Sequence, residues 1–201
     1  MVFIVNLTKP VILASGSPRR KELLALAGFN FTVRPANGEE FTTKTLPCDI
    51  VCELAHQKAF EIAKAQTAPC YVIGADTIVA FENRILGKPK DSADAVRMVS
   101  MLQGSTHQVY TGVTLIEVCT DGSLREKSFY EETNVHVCQM TKDEIASYVA
   151  TGEPLDKAGA YGIQGTFSIY VSGIEGDYFN VVGLPISRLY HEFASFQNAA
   201  H

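Results

Sequence analysis

The stretch LASGSPRRKELL, Leu13 to Leu24, decides how this chain is read. An apolar run ends in Ser15-Gly16-Ser17, and two adjacent arginines follow Pro18. Apolar residues return at Leu23, Leu24 and Ala27 with helical spacing. Ser17 suits an N-cap, Pro18 the first helical position and Gly28 the residue past the end. The pattern predicts a strand, a tight small-residue loop and a helix. A helix N-terminus offers unpaired N–H groups and a partial positive charge. Gly16 admits a ligand close to the backbone, and Ser15 and Ser17 add hydroxyls. Arg19 and Arg20 add guanidinium groups that match phosphate oxygens in pairs. The loop lacks the glycines and lysine of a Walker A motif and the glycines of a dinucleotide fingerprint. A capped helix with two solvated arginines is the competing reading of this stretch.

On either side, strands and helices alternate. FNFTVRPA reads as a second strand, and a helix opens at Asp49 and runs to about Ala65. CYVIGADTIVAF reads as a third strand, ENR as a turn and ILGKP as its returning partner. Asp91 or Ser92 caps a helix with Ala95, Val99 and Leu102 on one face, ending at Gly104. HQVYTGVTLIEV and SFYEETNVHVCQM read as long strands joined through TDGS. Thr141 and Glu144 form a capping box, and Gly152 closes that helix. YGIQGTFSIYVSGI and DYFNVVGLP read as a late hairpin before a final helix at Pro185. The fold class is α/β with a mixed sheet.

The chain has 201 residues, 46% hydrophobic and 19% charged, which suits one compact domain with or without a small lobe. A net charge of −5 argues against sequence-independent nucleic-acid binding. No apolar run approaches the roughly 20 residues that cross a bilayer, and MVFIVNLT lacks the marks of a signal peptide. Five scattered cysteines read as free thiols in a reducing, cytoplasmic setting. Cys48 and Cys52 have no second pair with which to hold zinc.

Several residues stand out chemically. Asp76 lies inside an apolar run, where a carboxylate is costly unless it is paired or bound to metal. Lys58 shares an i, i+4 row with Ile50, Leu54 and Ile62, and snorkelling to solvent is the default for such a lysine. Glu39 and Glu40 follow an Asn37-Gly38 turn, and they matter only if the fold brings them near Asp76. Lys88, in GKP, reads alone as an exposed turn lysine. Asp156, Lys157 and Gln164 sit among small residues, and the Gln164 amide can both donate and accept. The five histidines show no metal-ligand spacing, and His107 reads as structural. Phe167, Tyr170, Tyr178 and Phe179 read as core or interface.

ASGSPRRKELL, GADTIV, GKP, GEPLDKAGAYGIQG and VVGLP, in that order, resemble the Maf family of nucleoside triphosphate pyrophosphatases, also described as septum-formation inhibitors. The resemblance runs from Val11 to Phe193. It implies a single domain over residues 1–201. That domain would be a long twisted mixed sheet with flanking helices and a cleft between two lobes, like inosine triphosphate pyrophosphatases. It implies hydrolysis of a nucleoside triphosphate to the monophosphate and pyrophosphate with a divalent cation (Mg²⁺, Mn²⁺ or Co²⁺), in a homodimer. GADTIV with YGIQG resembles the branch acting on dTTP and UTP. By the same resemblance, Asp76 would accept a proton or hold the metal and its water, and Glu40 would help bind metal. Ser15, Ser17, Arg20, Lys58 and Lys88 would line the triphosphate. Arg19, Thr77 and Gln164 match positions linked to base selection, and Asp156 and Lys157 would support the site. The chain departs from many members at Thr166, Phe167 and Ser168, where glycine or alanine is common. Which of Glu39 and Glu40 meets the metal stays open. A nucleotide-sensing regulator of division, binding without turnover, is the rival reading.

Overall fold

The structure is a computed structural model and describes residues 7–82 and 84–199. The first six residues of MVFIVNLT and Asn83 of the ENR turn lie outside the described residues. Seven strands form one mixed sheet among the described residues: β1 (Val11–Leu13), β2 (Phe31–Val33), β3 (Cys70–Phe81), β4 (Arg84–Leu86), β5 (Thr106–Val118), β6 (Leu124–Val137) and β7 (Val171–Glu175). Their order is β2-β1-β3-β5-β6-β7, with β4 on β3. β1 pairs in parallel with β2 and β3, while β3–β4 and β6–β7 are antiparallel. Helices α1 (Pro18–Leu26), α2 (Pro47–Ala63), α3 (Ser92–Leu102), α4 (Lys142–Ala150), α5 (Tyr178–Val182) and α6 (Ile186–Asn198) complete the chain. The predicted α/β class with a mixed sheet is observed.

The chain divides into two compact units. The first comprises Met1–Asp76, Thr111–Glu131 and Gly183–His201. Here α2 lies on one face of the sheet, and two glycines let it come close. A Cβ on Gly74 of β3 would stand 2.4 Å from the Ala55 carbonyl oxygen and 2.8 Å from the Ala59 nitrogen. A Cβ on Gly112 of β5 would stand 2.3 Å from the Val51 carbonyl oxygen. On the helix side the matching residues, Val51, Ala55, Ala59 and Ala63, are fully buried at i, i+4 spacing. Ile12, Ala14, Val72, Ile116 and Val118 fill the rest of that layer. On the opposite face Tyr71 packs edge-on to Phe193 of α6, with ring centroids 5.0 Å apart. Glu117, almost fully buried, is neutralised by Lys9 and by Arg125, whose Nε donates at 2.8 Å.

The second unit comprises Thr77–Tyr110 and Glu132–Val182. Its core joins Val79 and Leu86 to Ala95, Val99 and Leu102 of α3, Ile145, Tyr148 and Val149 of α4, and Tyr161 and Phe167. Asp91 caps α3 by accepting from the Asp94 N–H, and the Thr141–Glu144 capping box forms as read. His107, fully buried on β5, meets the Tyr161 hydroxyl at 2.7 Å through Nε2. Its Nδ1 has no partner among the described residues. Burial, and then the charge of His136, push the His107 imidazole down to about 4.

A pH dependence follows. Between its ordinary 6.5 and about 4, the unfolded chain binds a proton at His107 that the folded chain refuses. The stabilising contribution is therefore complete above pH 6.5 and is lost as pH falls through that window. The loss approaches about 3 kcal/mol at the acid end. Urea unfolding at pH 7 and pH 4 is expected to show this extra loss in the wild type and not in His107→Asn. Equal losses would mean that the ring takes its proton as readily in the folded chain as in the unfolded one.

Three expectations are corrected. α2 begins at Pro47, not Asp49, because Pro47 takes the first helical turn and Asp49 lies inside it. β6 begins at Leu124, four residues before the SFYEETNVHVCQM reading. The late hairpin is absent: Thr166–Tyr170 is a 3-10 turn, β7 pairs with β6, and YFNVV forms α5. Asp177 starts that helix by accepting from the Phe179 N–H at 2.8 Å, and Asn180 is buried, donating to Val109 O and Thr133 Oγ1. Phe167 is core as expected, and Tyr178 is exposed.

Candidate active site

The site in the first unit is assembled by α2, the end of β1 and the middle of β3. Alternation along β3 puts Gly74 and Asp76 on the same face, the one that meets α2. Gly74 provides the room, and two residues later Asp76 meets the lysine preceding Ala59. Lys58 Nζ donates to Asp76 Oδ1 at 2.6 Å and lies 3.0 Å from Glu40 Oε1. The Asp76 side chain is 11% exposed and that of Lys58 16%. The snorkelling default for Lys58 is thus overturned: the sheet closes over its row, so the ammonium points at the carboxylates. Of the acidic pair, Glu40 is the residue that faces Lys58.

The loop carrying Glu40 is held by a polar row on α2 that the sequence reading missed. Glu61 accepts from the Asn37 and Gly38 N–H groups at 3.0 and 2.9 Å. Those two bonds hold the Glu61 carboxyl below its usual range. Gln57 brackets Phe41, accepting from its N–H at 3.2 Å and donating to its carbonyl at 2.5 Å. Glu53 accepts from the Thr42 hydroxyl. Residues 53, 57 and 61 repeat at i, i+4, so one stripe of the helix grips four residues of the loop. The available signal was that spacing; except for the Thr42 hydroxyl, the partners are backbone groups, which carry no side-chain signature.

The Ser-Gly-Ser loop forms as predicted between β1 and α1, which opens with Pro18-Arg19-Arg20, although Ser17 makes no side-chain cap to its own helix. The buried Ser15 hydroxyl instead accepts from the Ser17 N–H and from Arg20, both at 3.3 Å. Arg20 Nε also donates to the Gly183 carbonyl at 2.9 Å. Gly183 has φ 124, a conformation that favours glycine, which explains the glycine of VVGLP. Burial lowers the Arg20 guanidinium's proton affinity, Asp76 raises it, Arg19 lowers it and Glu40 raises it; the net shift is downward. Arg20 stays charged all the same. Arg19 lies beside it, half-buried.

Other expected residues lie in the second unit. Thr77 follows Asp76 on β3 and is half-buried. Lys88 is exposed, next to Gly87, whose carbonyl accepts from the Gly159 N–H at 3.0 Å. That bond ties the end of β4 to the AGAYGIQG segment. Lys157 Nζ bonds the Glu153 carbonyl at 2.7 Å and Asp156 Oδ1 at 2.8 Å. Gln164 is exposed on a turn closed by the Gly165 N–H to the Gly162 carbonyl at 3.1 Å.

Glu40 and Asp76 converge on one ammonium from two elements, so their oxygens suit a divalent cation at the same locus. Among the described residues no group of three or more His, Cys, Asp or Glu side chains comes together for a metal. Two carboxylates leave coordination positions for phosphate oxygens and water, the way Mg²⁺ is commonly bound with nucleotides.

The profile described as Maf-like protein matches residues 10–196. The chain belongs to the Maf-like family. Among curated relatives, this Maf-like chain is 53% identical over 194 residues to a dTTP/UTP pyrophosphatase of Agathobacter rectalis, covering 90% of the chain and 95% of the relative. It is 52% identical to a protein of that name from Lachnoclostridium phytofermentans, over 92% and 94% of the two chains. With the protein of that name from Bacillus cytotoxicus the identity is 51%, over 96% and 98%. Among solved structures, a HAM1 protein from Coxiella burnetii aligns with a TM-score of 0.49 at 15% identity, covering 94% of this chain and all of that one. All five cysteines are free thiols, and among the described residues no helix is long and apolar enough to cross a membrane.

Proposed function

We propose that this Maf-like protein hydrolyses dTTP and UTP to the monophosphate and pyrophosphate, removing surplus or non-canonical pyrimidine triphosphates. The observation that carries the reading is the Lys58 ammonium set between Asp76 and Glu40, with Arg20 close enough to feel the Asp76 charge. The names of relatives at 51–53% identity support the substrate. The triphosphate, with its concentrated negative charge, needs cations and N–H groups. Arg20, Arg19, Ser15, Ser17 and the N-terminus of α1 supply them, and Lys58 and Lys88 add ammonium groups. A divalent cation at Glu40 and Asp76 would neutralise phosphate charge and lower the pKa of a bound water.

Asp76 accepts the proton of the attacking water as the new oxygen–phosphorus bond forms at the α-phosphorus. The bond from the α-phosphorus to its bridging oxygen breaks, and pyrophosphate leaves as one unit. Lys58 holds Asp76 and Glu40 together. Gln164 reads the base edge with Thr77 and Arg19, and Asp156 and Lys157 support that segment. The cytoplasm and a homodimer belong to the same reading. A non-hydrolytic sensor has no use for a carboxylate held ready to take a proton.

The test is pyrophosphate release from a panel of nucleoside triphosphates, with Mg²⁺ or Mn²⁺ and with chelator. Metal-dependent release favouring dTTP and UTP is expected. Nucleotide binding without release from any of them would reject the reading. In the same panel, Gln164→Ala is expected to lower discrimination between UTP and purine triphosphates by about tenfold, the worth of one lost polar contact to a base. An unchanged profile would remove Gln164 from base reading.

A further inference from the structure

Glu153 has no part in the chemistry above, yet the segment bearing Gln164 is built around it. It opens a 3-10 turn, Glu153–Asp156, just after α4. Its Oε2 accepts from both the N–H and the hydroxyl of Thr166, at 2.8 and 2.7 Å. Its Oε1 accepts from the Tyr148 hydroxyl at 3.2 Å. Its carbonyl accepts from Lys157 Nζ at 2.7 Å. The carboxylate therefore grips the chain two residues beyond Gln164, while the Gly162–Gly165 hydrogen bond closes the turn on the other side.

The two glycines of YGIQG are explained by the same group. A Cβ on Gly165 would lie 2.0 Å from Glu153 Oε1 and 2.3 Å from its Cδ. A Cβ on Gly162 would lie 2.8 Å from Lys157 Cε. The turn thus rests directly on the Glu153 carboxylate and the Lys157 stem, with nothing between them. Below it, Tyr161 is tied to His107 and packs on Phe167 at 4.8 Å between ring centroids, so the underside is rigid. Burial raises the Glu153 carboxyl's proton affinity, but the Thr166 and Tyr148 hydrogen bonds and the Lys157 charge outweigh it and leave the group below its usual range. It is ionised at neutral pH and accepts every bond offered to it.

We propose that Glu153 is a positioning residue for nucleotide selectivity: it holds the Gly162–Gly165 turn in the one geometry that presents Gln164 to the base. The inference rests on the base-reading role given to Gln164 above. Glu153 touches no substrate in this scheme and acts through the turn. Its loss should loosen the turn and weaken binding of the preferred pyrimidine triphosphate, while the phosphate chemistry at Asp76 proceeds.

The experiment compares Glu153→Ala, Glu153→Gln, Thr166→Val and Gln164→Ala, measuring KM and kcat for UTP and for a purine triphosphate, with a thermal melt of each. Glu153→Ala is expected to raise KM for UTP about tenfold, with kcat changing less than about threefold, and to lose about tenfold of the UTP preference. Thr166→Val should give a smaller loss in the same direction, because only the hydroxyl bond is removed. Glu153→Gln should restore much of the preference, since one amide oxygen can still take both Thr166 donors. If Glu153→Ala does not fold, the Thr166→Val loss and the Glu153→Gln profile decide the matter. A merely structural Glu153 would lower melting temperature and activity on both substrates alike, leaving the preference intact. That result, with Gln164→Ala still altering preference, overturns this proposal alone. An unaltered preference in Gln164→Ala removes the base-reading role itself, and this proposal falls with it.

Discussion

Asp76→Asn is expected to stay folded and to lose at least about 10³-fold in turnover on dTTP and UTP, the scale of a lost general base. The amide keeps the volume of the carboxyl and can still meet Lys58. It cannot take a proton from water, and it brings no charge to hold a cation beside Glu40. Lys58 keeps Glu40 at 3.0 Å, so the ammonium is not left buried without a counter-charge. That is why the fold should survive when breaking a fully buried ion pair elsewhere costs about 3–5 kcal/mol. Pyrophosphate release, circular dichroism and nucleotide binding measured on the same preparation check this. Folded Asp76→Asn protein with turnover near wild type would take Asp76 out of the chemistry.

Gly74→Ala is expected to destabilise the protein by about 3 kcal/mol, the upper part of the usual range for overpacking. In a chain of this size that lowers the melting temperature by about 10 °C. The added methyl would meet backbone, the Ala55 carbonyl oxygen at 2.4 Å and the Ala59 nitrogen at 2.8 Å, and no rotamer can move those atoms away. The whole of α2 must shift, taking Lys58 away from Asp76, so turnover should fall in the folded fraction too. Gly87→Ala is the control, because a Cβ there meets nothing within 4 Å, and its stability should stay within about 0.5 kcal/mol of wild type. A Gly74→Ala melting curve overlying the wild type would mean that α2 sits farther from β3 than described here.

The elements legible in the chain were those whose signal is local. CYVIGADTIVAF is β3 from first residue to last, because an apolar run bounded by polar turns leaves one reading. The Thr141–Glu144 box is formed by two side chains and the backbone between them, so spacing alone revealed it. YGIQGTFSIYVSGI misled because alternating small and apolar residues look alike in a strand and in a succession of tight turns. What separates the two is the Glu153 carboxylate, which bonds Thr166 thirteen residues away and holds that segment as a turn.

The order of phosphate-loop, carboxylate and glycine motifs along the chain was enough to establish the family, since it depends on residue type. Orientation was settled only in three dimensions. Periodicity sent Lys58 to solvent, but two glycines on neighbouring strands draw α2 onto the sheet and turn the ammonium toward Asp76 and Glu40. Glu40 is distinguished from Glu39 by its position 3.0 Å from Lys58, on a loop that the Glu53, Gln57 and Glu61 stripe grips mainly through backbone atoms. Arg20 is aimed by the carbonyl of Gly183, 163 residues along the chain. Each of these is a close approach between segments distant in sequence, and such contacts leave no trace in the order of residues.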